Sequence, residues 1–137
     1  MASPNFEVSA LTSHIRFYLN ALRAFLGSKV PLRVSIADFS SNAHVELIET
    51  QLLSVIRSEF EGVESEFDTE RTKGRGYYSD LCFHIQATAA SGQRSELVDG
   101  GSVNWTQRFL SNARERLVIS GIGSERLCSE FGSGKDT

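Results

Sequence analysis

Ionisable and phenolic side chains recur at every second position of two segments, residues 63–68 and 77–88. Alternation of apolar and polar residues is typical of a β-strand with one buried face, so each polar set would lie on one side of a strand. A polar sheet face this wide fits either solvent or a binding site. Like charges on one face repel each other unless a cation or a basic partner meets them. The polar set is Glu64, Glu66, Asp68, Tyr78, Asp80 and His84.

Three short glycine-containing motifs lie in the same half of the chain. Residues 75–78, Arg-Gly-Tyr-Tyr, place a free backbone beside a cation and two phenols, and the pair Gly100-Gly101 lets a main chain approach another group closely. Residues 121–126, Gly-Ile-Gly-Ser-Glu-Arg, indicate a strand end, a tight turn and a helix start, which can face an anion. Their glycine spacing is neither that of a Walker loop nor that of a dinucleotide-binding fingerprint.

The order and spacing of these motifs resemble the histidyl-tRNA synthetase family and its catalytically inactive relatives, including the regulatory subunit of ATP phosphoribosyltransferase. In that family an Arg-Gly segment leads into a Tyr-Tyr strand that ends in Phe. A Gly-Gly strand end follows, and a Gly-x-Gly-x-Glu-Arg turn closes the core. Residues 75–78, Phe83, Gly100-Gly101 and residues 121–126 follow this order. The resemblance covers residues 62–131 and implies part of a class II aminoacyl-tRNA synthetase core.

Four side chains acquire roles from the resemblance. It implies that Arg75 stabilises negative charge on the carboxylate and α-phosphate as an adenylate forms, and that Tyr77 and Tyr78 line an amino-acid pocket. Arg126 would be the motif 3 arginine, which lies over ATP and contacts its phosphates. The implied ligands are an amino acid and ATP. No metal is predicted, because the helical histidines have no metal-ligand spacing to a cysteine or a carboxylate.

Other roles remain open for the same residues. Arg75 also fits a solvated arginine or a partner of Asp68, Tyr77 also fits the core, and Arg126 also fits an ion pair with Glu130. The candidate set contains ligand-binding residues only and no catalytic residue. It comprises Arg75, Tyr77, Tyr78, Asp80, His84, Glu66, Gly100, Gly101 and Arg126.

The sequence also departs from the family pattern. The family has Leu-Asp between Arg-Gly and Tyr-Tyr, whereas Tyr77 follows Gly76 directly, and the Arg-Tyr-Asp that follows Gly-Gly is replaced by residues 102–104, Ser-Val-Asn. Motif 1, the dimer-forming segment, and motif 2, which carries the arginine for the α-phosphate, are not recognisable. We therefore do not expect the chain alone to form an adenylate.

The elements that would position these residues form an α+β fold, with a mostly antiparallel mixed sheet and helices on one face. Residues 1–137 are predicted to be a single domain with flexible tails at 1–8 and 132–137. The first helix is predicted over Ser9–Leu26, capped by Ser9 and ended by Gly27. Its apolar stripe comprises Leu11, Ile15, Tyr18, Leu22 and Phe25.

The remaining elements follow from changes in hydrophobic period. A strand begins at Leu32, and a helix runs from Val45 to Phe60. Strands at 63–68, 77–88 and 95–99 are expected to pair as antiparallel neighbours, with Gly100-Gly101 breaking the last one. A helix at 105–113, a strand at 117–119 and a helix at 124–131 complete the chain.

Composition narrows the class of protein. The net charge is −3 and the pI about 5.6, which argues against a surface that attracts nucleic acid. Cys82 and Cys128 lie among apolar residues and fit buried free thiols. No signal peptide and no segment long enough to span a membrane is recognisable, so we expect a cytoplasmic protein without a membrane partner.

Three functions are compatible with these observations. The first is a non-catalytic histidyl-tRNA-synthetase-like domain that binds an amino acid or a nucleotide, or that serves as a regulatory or assembly module. The second is a fragment or split part of an amino-acid-activating enzyme, whose partner is a synthetase-like chain. The third is a homo-oligomeric interaction domain, in which the stripe of the first helix packs against a second copy.

Overall fold

The computed structural model describes residues 4–39, 45–71, 78, 80–103 and 117–123. The first helix, α1, spans Pro4–Leu26, and Pro4 suits a first helical position because its missing N–H would have no partner there. The helix ends at Gly27, whose φ of 91° lets its N–H donate to the Arg23 carbonyl at 2.9 Å. The C-terminal end therefore matches the prediction, whereas the helix starts five residues before Ser9.

The buried side of α1 differs from the predicted stripe. Its buried apolar side chains are Val8, Leu11, Ile15, Leu19 and Leu22, all at most 1% exposed. This 3–4–4–3 spacing places Tyr18 at the margin of the stripe, half-buried, and leaves Phe25 54% exposed. The predicted packing of Leu11, Ile15 and Leu22 against a second copy is wrong, because these side chains are already buried within the chain.

Strands β1 and β2 flank the second helical region. β1 spans Leu32–Asp38. A continuous helical region follows, α-helical over Val45–Leu47 (α2), π-helical over Ile48–Leu53 and α-helical again over Ser54–Glu59 (α3). The chain then turns at Gly62, with φ 85°, into β2, Glu64–Phe67. β2 runs parallel to β1, as the crossing helix requires.

Strands β3 and β4 form an antiparallel hairpin, β3 over Leu81–Thr88 and β4 over Arg94–Val103. The turn contains Gly92 at φ 92°. The predicted strand break at Gly100-Gly101 is wrong, because β4 continues through both glycines and pairs them with Phe83 and Cys82. A β-bulge between Ile85 and Gln86 shifts the register of the hairpin.

The described strands make one five-stranded mixed sheet in the order β2–β1–β3–β4–β5. β5 spans Leu117–Ile122 and pairs antiparallel with β4. The predicted pairing of β2 with the hairpin is wrong, because β1 lies between β2 and β3 and pairs with both. The predicted helices at 105–113 and 124–131 lie outside the described residues.

The helices cover one sheet face, and no helix among the described residues covers the other. The large core cluster joins α1 and the second helical region to the sheet through apolar side chains such as Val34, Ile36, Phe83 and Ile85, all fully buried. A smaller cluster on the opposite face contains Ala37, Tyr78, Cys82 and Val103. We call the face opposite the helices the open face. In the described part of the chain, no helix has both the length and the hydrophobicity needed to cross a bilayer.

Candidate functional site

Polar residues from four neighbouring strands form a row across the open face. Ser35 in β1 pairs with Glu66 in β2 on one side and with His84 in β3 on the other, and His84 pairs with Asp99 in β4. Residues in register on neighbouring strands point to the same side of a sheet, so these four side chains are adjacent. The row crosses the middle of the sheet, where charged groups are partly desolvated and therefore require partners.

Asp99 is the acceptor at one end of the row. Arg71 Nη2 donates to Asp99 Oδ1 at 2.8 Å, and the Tyr78 hydroxyl donates to Asp99 Oδ2 at 2.6 Å. The Arg71 side chain is only 4% exposed, and its guanidinium carbon lies 6.0 Å from the centre of the Tyr78 ring. Burial opposes the charge of Arg71, but the hydrogen bond to Asp99 and the charges of Asp99 and Glu96 raise the pKa of the guanidinium. Arg71 therefore stays charged.

His84 lies between two groups of opposite charge. Its Nδ1 is 3.4 Å from Arg71 Nη1 and 3.6 Å from Glu96 Oε1. Burial lowers the pKa of His84, an effect that Arg71 reinforces and that Glu96 and Asp99 oppose. The neutral ring with its proton on Nε2 lets Nδ1 accept from Arg71.

The other end of the row is an ion pair at the β1–β2 edge. Glu66 accepts hydrogen bonds from the Arg33 guanidinium and, at 3.0 Å, from the Ser35 hydroxyl. The hydrogen bond from Arg33 lowers the pKa of Glu66. An open pocket of about 500 Å³ lies beside this pair. Its lining residues are Arg33, Arg57, Val63, Glu64, Ser65 and Glu66.

The two glycines of β4 make room on opposite faces of the sheet. A Cβ on Gly101 would lie 2.5 Å from the Leu81 carbonyl oxygen and 2.7 Å from Tyr78 Cδ1, so Gly101 lets the Tyr78 ring lie close to the open face. A Cβ on Gly100 would lie 2.6 Å from Phe83 Cε1, on the helix-covered face. The close approach that the glycines permit is therefore made by side chains of the same chain.

The structure brings part of the predicted set together. Tyr78, His84 and Glu66 lie on the open face, with Gly101 beneath Tyr78, whereas Gly100 faces the core. Asp80 lies beside the end of β3, where its N–H is 3.3 Å from Ser102 Oγ and its carbonyl accepts from Phe39 N at 2.7 Å. The predicted residues Arg75, Tyr77 and Arg126 lie outside the described residues.

Several residues of the face were not among the predicted ones. Asp99 could have been recognised, because it is a charged residue immediately before Gly-Gly and in phase with the polar positions of the hairpin. Ser35 and Arg33 alternate with apolar residues of β1, which is a weaker signal. Arg71 belongs to a polar connector without periodicity, so its place on the face follows only from the tertiary structure.

Within the described ranges, no group of three His, Cys, Asp or Glu side chains could hold a metal ion. Cys82 is a buried free cysteine on this face, and burial raises the pKa of its thiol to about 12. The thiol is therefore protonated near neutral pH and is a poor nucleophile.

Comparison with known proteins identifies the fold. The chain is similar to apo histidyl-tRNA synthetase from S. aureus, with a TM-score of 0.66 and 20% sequence identity. The similarity covers 95% of this chain and 38% of the synthetase chain. No protein-family model matches the sequence, and no curated protein matches it significantly.

The similarity confirms the predicted α+β class and the resemblance to a synthetase core at the level of the fold. Since it covers 95% of the chain, it also extends into residues 1–61, where the sequence offers no recognisable motif. The chain spans well under half the length of the synthetase, so the activity and the partners of that enzyme do not follow from the similarity.

Proposed function

We propose, proceeding from the histidyl-tRNA-synthetase-like fold, that the open face binds a small ligand of the amino-acid class without activating it. The observation that carries the proposal is the row Glu66–Ser35–His84–Asp99, which places partly buried groups across the middle of the sheet. Arg33 brings positive charge to the Glu66 end of the row, and Asp99 brings negative charge to the other end. Carboxylates and guanidinium groups side by side complement a zwitterion, whose ammonium and carboxylate groups need partners of opposite sign.

The lack of a recognisable motif 2 supports binding without chemistry. The structurally similar protein is named for histidine and tRNA. Histidine is therefore the first ligand to test, followed by the other amino acids and ATP. Arg75 and Arg126, by the family resemblance, would contact a carboxylate or a phosphate of the bound ligand.

A thermal-shift titration of the purified chain tests this proposal. A ligand at about one hundred times its dissociation constant stabilises the folded state by roughly 2.7 kcal/mol, which shifts the melting temperature measurably. We expect a saturable shift with one amino acid that is lost in Asp99→Asn, Arg75→Ala and Arg126→Ala. Glu59→Gln is the matched control, because Glu59 forms a solvent-exposed ion pair with Arg16 on the helices.

The absence of a shift with any amino acid would overturn the proposal, and so would an equal shift in Asp99→Asn. A shift with ATP alone would favour a nucleotide ligand. In that case loss of the shift in Arg126→Ala, but not in Asp99→Asn, would assign ATP to residues 121–126 rather than to the polar row.

A second function is favoured by the coverage of the comparison. A chain similar to 38% of a synthetase could contribute part of an amino-acid-activating site that another synthetase-like chain or segment completes. Amino-acid-dependent exchange of pyrophosphate into ATP separates the two functions. A non-catalytic binding domain gives no exchange in any combination, whereas a split enzyme gives exchange once a segment with a motif 2 arginine is added.

A third function is favoured by exposed aromatic side chains on α1. Phe17 is 65% exposed and Phe25 54% exposed, eight residues apart on the outer side of the helix, and Ile122 of the edge strand β5 is 38% exposed. Exposed aromatic residues are enriched at protein interfaces. Phe17 and Phe25, here called the aromatic patch, would mediate assembly with a second copy, in place of the buried stripe predicted from sequence.

A further inference from the structure

The Arg71 guanidinium is surrounded by groups that suit a planar cation. Asp99 accepts its hydrogen bond at 2.8 Å, the Tyr78 ring lies 6.0 Å from its carbon atom, and His84 Nδ1 is 3.4 Å from its second terminal nitrogen. Glu96, whose Oε1 lies 3.6 Å from His84 Nδ1, adds a second negative charge. A carboxylate acceptor, an aromatic face and an imidazole acceptor together match the fork of a guanidinium better than the single point charge of an ammonium.

The groups that receive the guanidinium are fixed by the sheet. His84 lies in β3, Asp99 and Glu96 lie in β4, and Tyr78 is held against Gly101 and by its hydrogen bond to Asp99. The backbone positions of His84, Asp99 and Glu96 are set by hydrogen-bonded strands and do not depend on Arg71. The receiving groups therefore form a preorganised site.

Arg71 itself comes from outside the sheet. Strand β2 ends at Phe67, and Arg71 lies four residues further on, outside any strand. Its side chain can therefore leave Asp99 without breaking the pairing between strands. The 4% exposure of this side chain contrasts with the 48% exposure of Arg16, whose ion pair with Glu59 lies on the surface. Arg71 is therefore a buried cation that reaches the sheet from outside it, as a ligand covalently attached to the chain would.

We propose that the open face contains a binding site for a guanidinium-type cation and that Arg71 occupies this site as a tethered competitor. The ligand that displaces Arg71 carries a guanidino group. The identification of that ligand as an amino acid rests on the proposed function, whereas the existence of the cation site does not.

Chemical rescue of Arg71→Ala tests the cation site directly. We expect the variant to melt at a lower temperature than the natural chain, and ethylguanidinium at millimolar concentration to restore the melting temperature in a saturable manner. Ethylammonium at equal ionic strength should restore less, because it lacks the planar fork. The double variant Arg71→Ala/Asp99→Asn should show no rescue, and Arg16→Ala, which opens an exposed ion pair, should also show none.

Three results would overturn the cation site. They are the absence of saturable rescue, equal rescue by ethylammonium, and equal rescue in Arg16→Ala. If Arg71→Ala does not fold, the natural chain provides the test by nuclear magnetic resonance. Ethylguanidinium should then accelerate solvent exchange of the Arg71 Nε proton but not that of Arg33, and an unchanged Arg71 signal would contradict the proposal.

Competition separates this inference from the proposed function. If Arg71 is a tethered competitor, free arginine should bind Arg71→Ala about tenfold more tightly than the natural chain, because the fraction of open site rises. Equal affinity for both proteins would overturn the role of Arg71 as competitor. Rescue by ethylguanidinium without binding of any amino acid to either protein would refute the proposed function and leave the cation site established.

Discussion

Two adjacent glycines in β4 are required for opposite reasons on the two faces of the sheet. Gly100 admits Phe83 on the core side, and Gly101 admits Tyr78 on the open face. A side chain on Gly101 would press on the Leu81 backbone, which cannot move away without disturbing the β3–β4 ladder. The Gly-Gly pair is thus explained by packing within the chain.

Gly101→Ala should lower the free energy of unfolding by about 2 kcal/mol, since overpacking at a rigid position typically has a cost of this size. Denaturation by urea measures the change. Gly121→Ala is the matched control in the neighbouring strand, because a Cβ there has nothing within 4 Å and should change stability by less than about 0.5 kcal/mol. Equal effects of the two substitutions would contradict this account of Gly101.

The partly buried histidines should make stability depend on pH. Burial lowers the pKa of both His84 and His14 below the ordinary 6.5, so the unfolded chain takes up protons before the folded chain does. The free energy of unfolding should therefore fall as pH decreases below about 6.5, and level off below the folded pKa values. Urea unfolding between pH 8 and pH 5 measures this slope.

Substitution separates the two histidines. His84→Gln should reduce the slope, and His14→Gln should reduce it independently, because His14 lies on the other face and its Nδ1 is 2.6 Å from Ser120 Oγ. Glu66, whose pKa is also lowered, titrates below its ordinary value of 4.5 and so acts in a more acidic range. An unchanged slope in both variants would exclude the histidines as its source.

Single residues were predictable where alternation fixes the face. The placement of His84 and Glu66 on one side followed from the period of two along each strand. Tyr78 lies on the same side, although it precedes β3. Asp80 and Gly100 show the limit of that rule. Asp80 precedes the regular part of β3, and Gly100 points to the core, so neither position could be assigned from adjacency to the polar residues alone.

At the scale of elements, α1 buries Leu19 where the predicted stripe had Tyr18, a difference of one residue. Ile15→Ala should lower the free energy of unfolding by about 2–5 kcal/mol, because the side chain is fully buried in the core. Phe17→Ala, two residues away and 65% exposed, should change it by less than about 0.5 kcal/mol. Thermal or urea unfolding of both variants checks the buried face of α1, and similar losses would contradict it.

The second helical region was predicted as one helix from Val45 to Phe60. The π-helical stretch within it was not predicted. A π-helical turn contains one more residue than an α-helical turn, which lets Leu52 and Leu53 both be fully buried. No residue type marks such a turn in the sequence, because it is selected by packing against the sheet. Likewise, the parallel pairing of β1 with β2 follows from the crossing helix and not from strand composition.

For the whole molecule, the aromatic patch predicts self-association. We expect sedimentation velocity to show a rise in mean mass with concentration, and Phe17→Ser with Phe25→Ser to raise the dissociation constant by about tenfold or more, equivalent to at least 1.4 kcal/mol. Glu49→Gln, on an exposed position of the second helical region, is the control. A monomer at every concentration would exclude this patch as an interface.

The architecture was predictable in class and less so in connectivity. Five strands and a helix-covered face follow from periodicity, and the family resemblance of residues 62–131 indicated the synthetase core. Strand order was wrong because sequence neighbours were assumed to pair, whereas β1 enters between β2 and β3. The first 61 residues carry no family motif. They nevertheless supply the helices that cover one sheet face and the interior strand β1.

The position of β1 between β2 and β3 also has a consequence for biosynthesis. When the ribosome has made β1, the second helical region and β2, the edge of β1 that β3 will cover is still unpaired, although six of the seven residues of β1 are buried in the folded chain. An unpaired apolar strand is prone to aggregation until its partner emerges. The nascent chain therefore passes through an interval in which this strand edge is prone to aggregation, and the interval closes only when translation has delivered the β3–β4 hairpin.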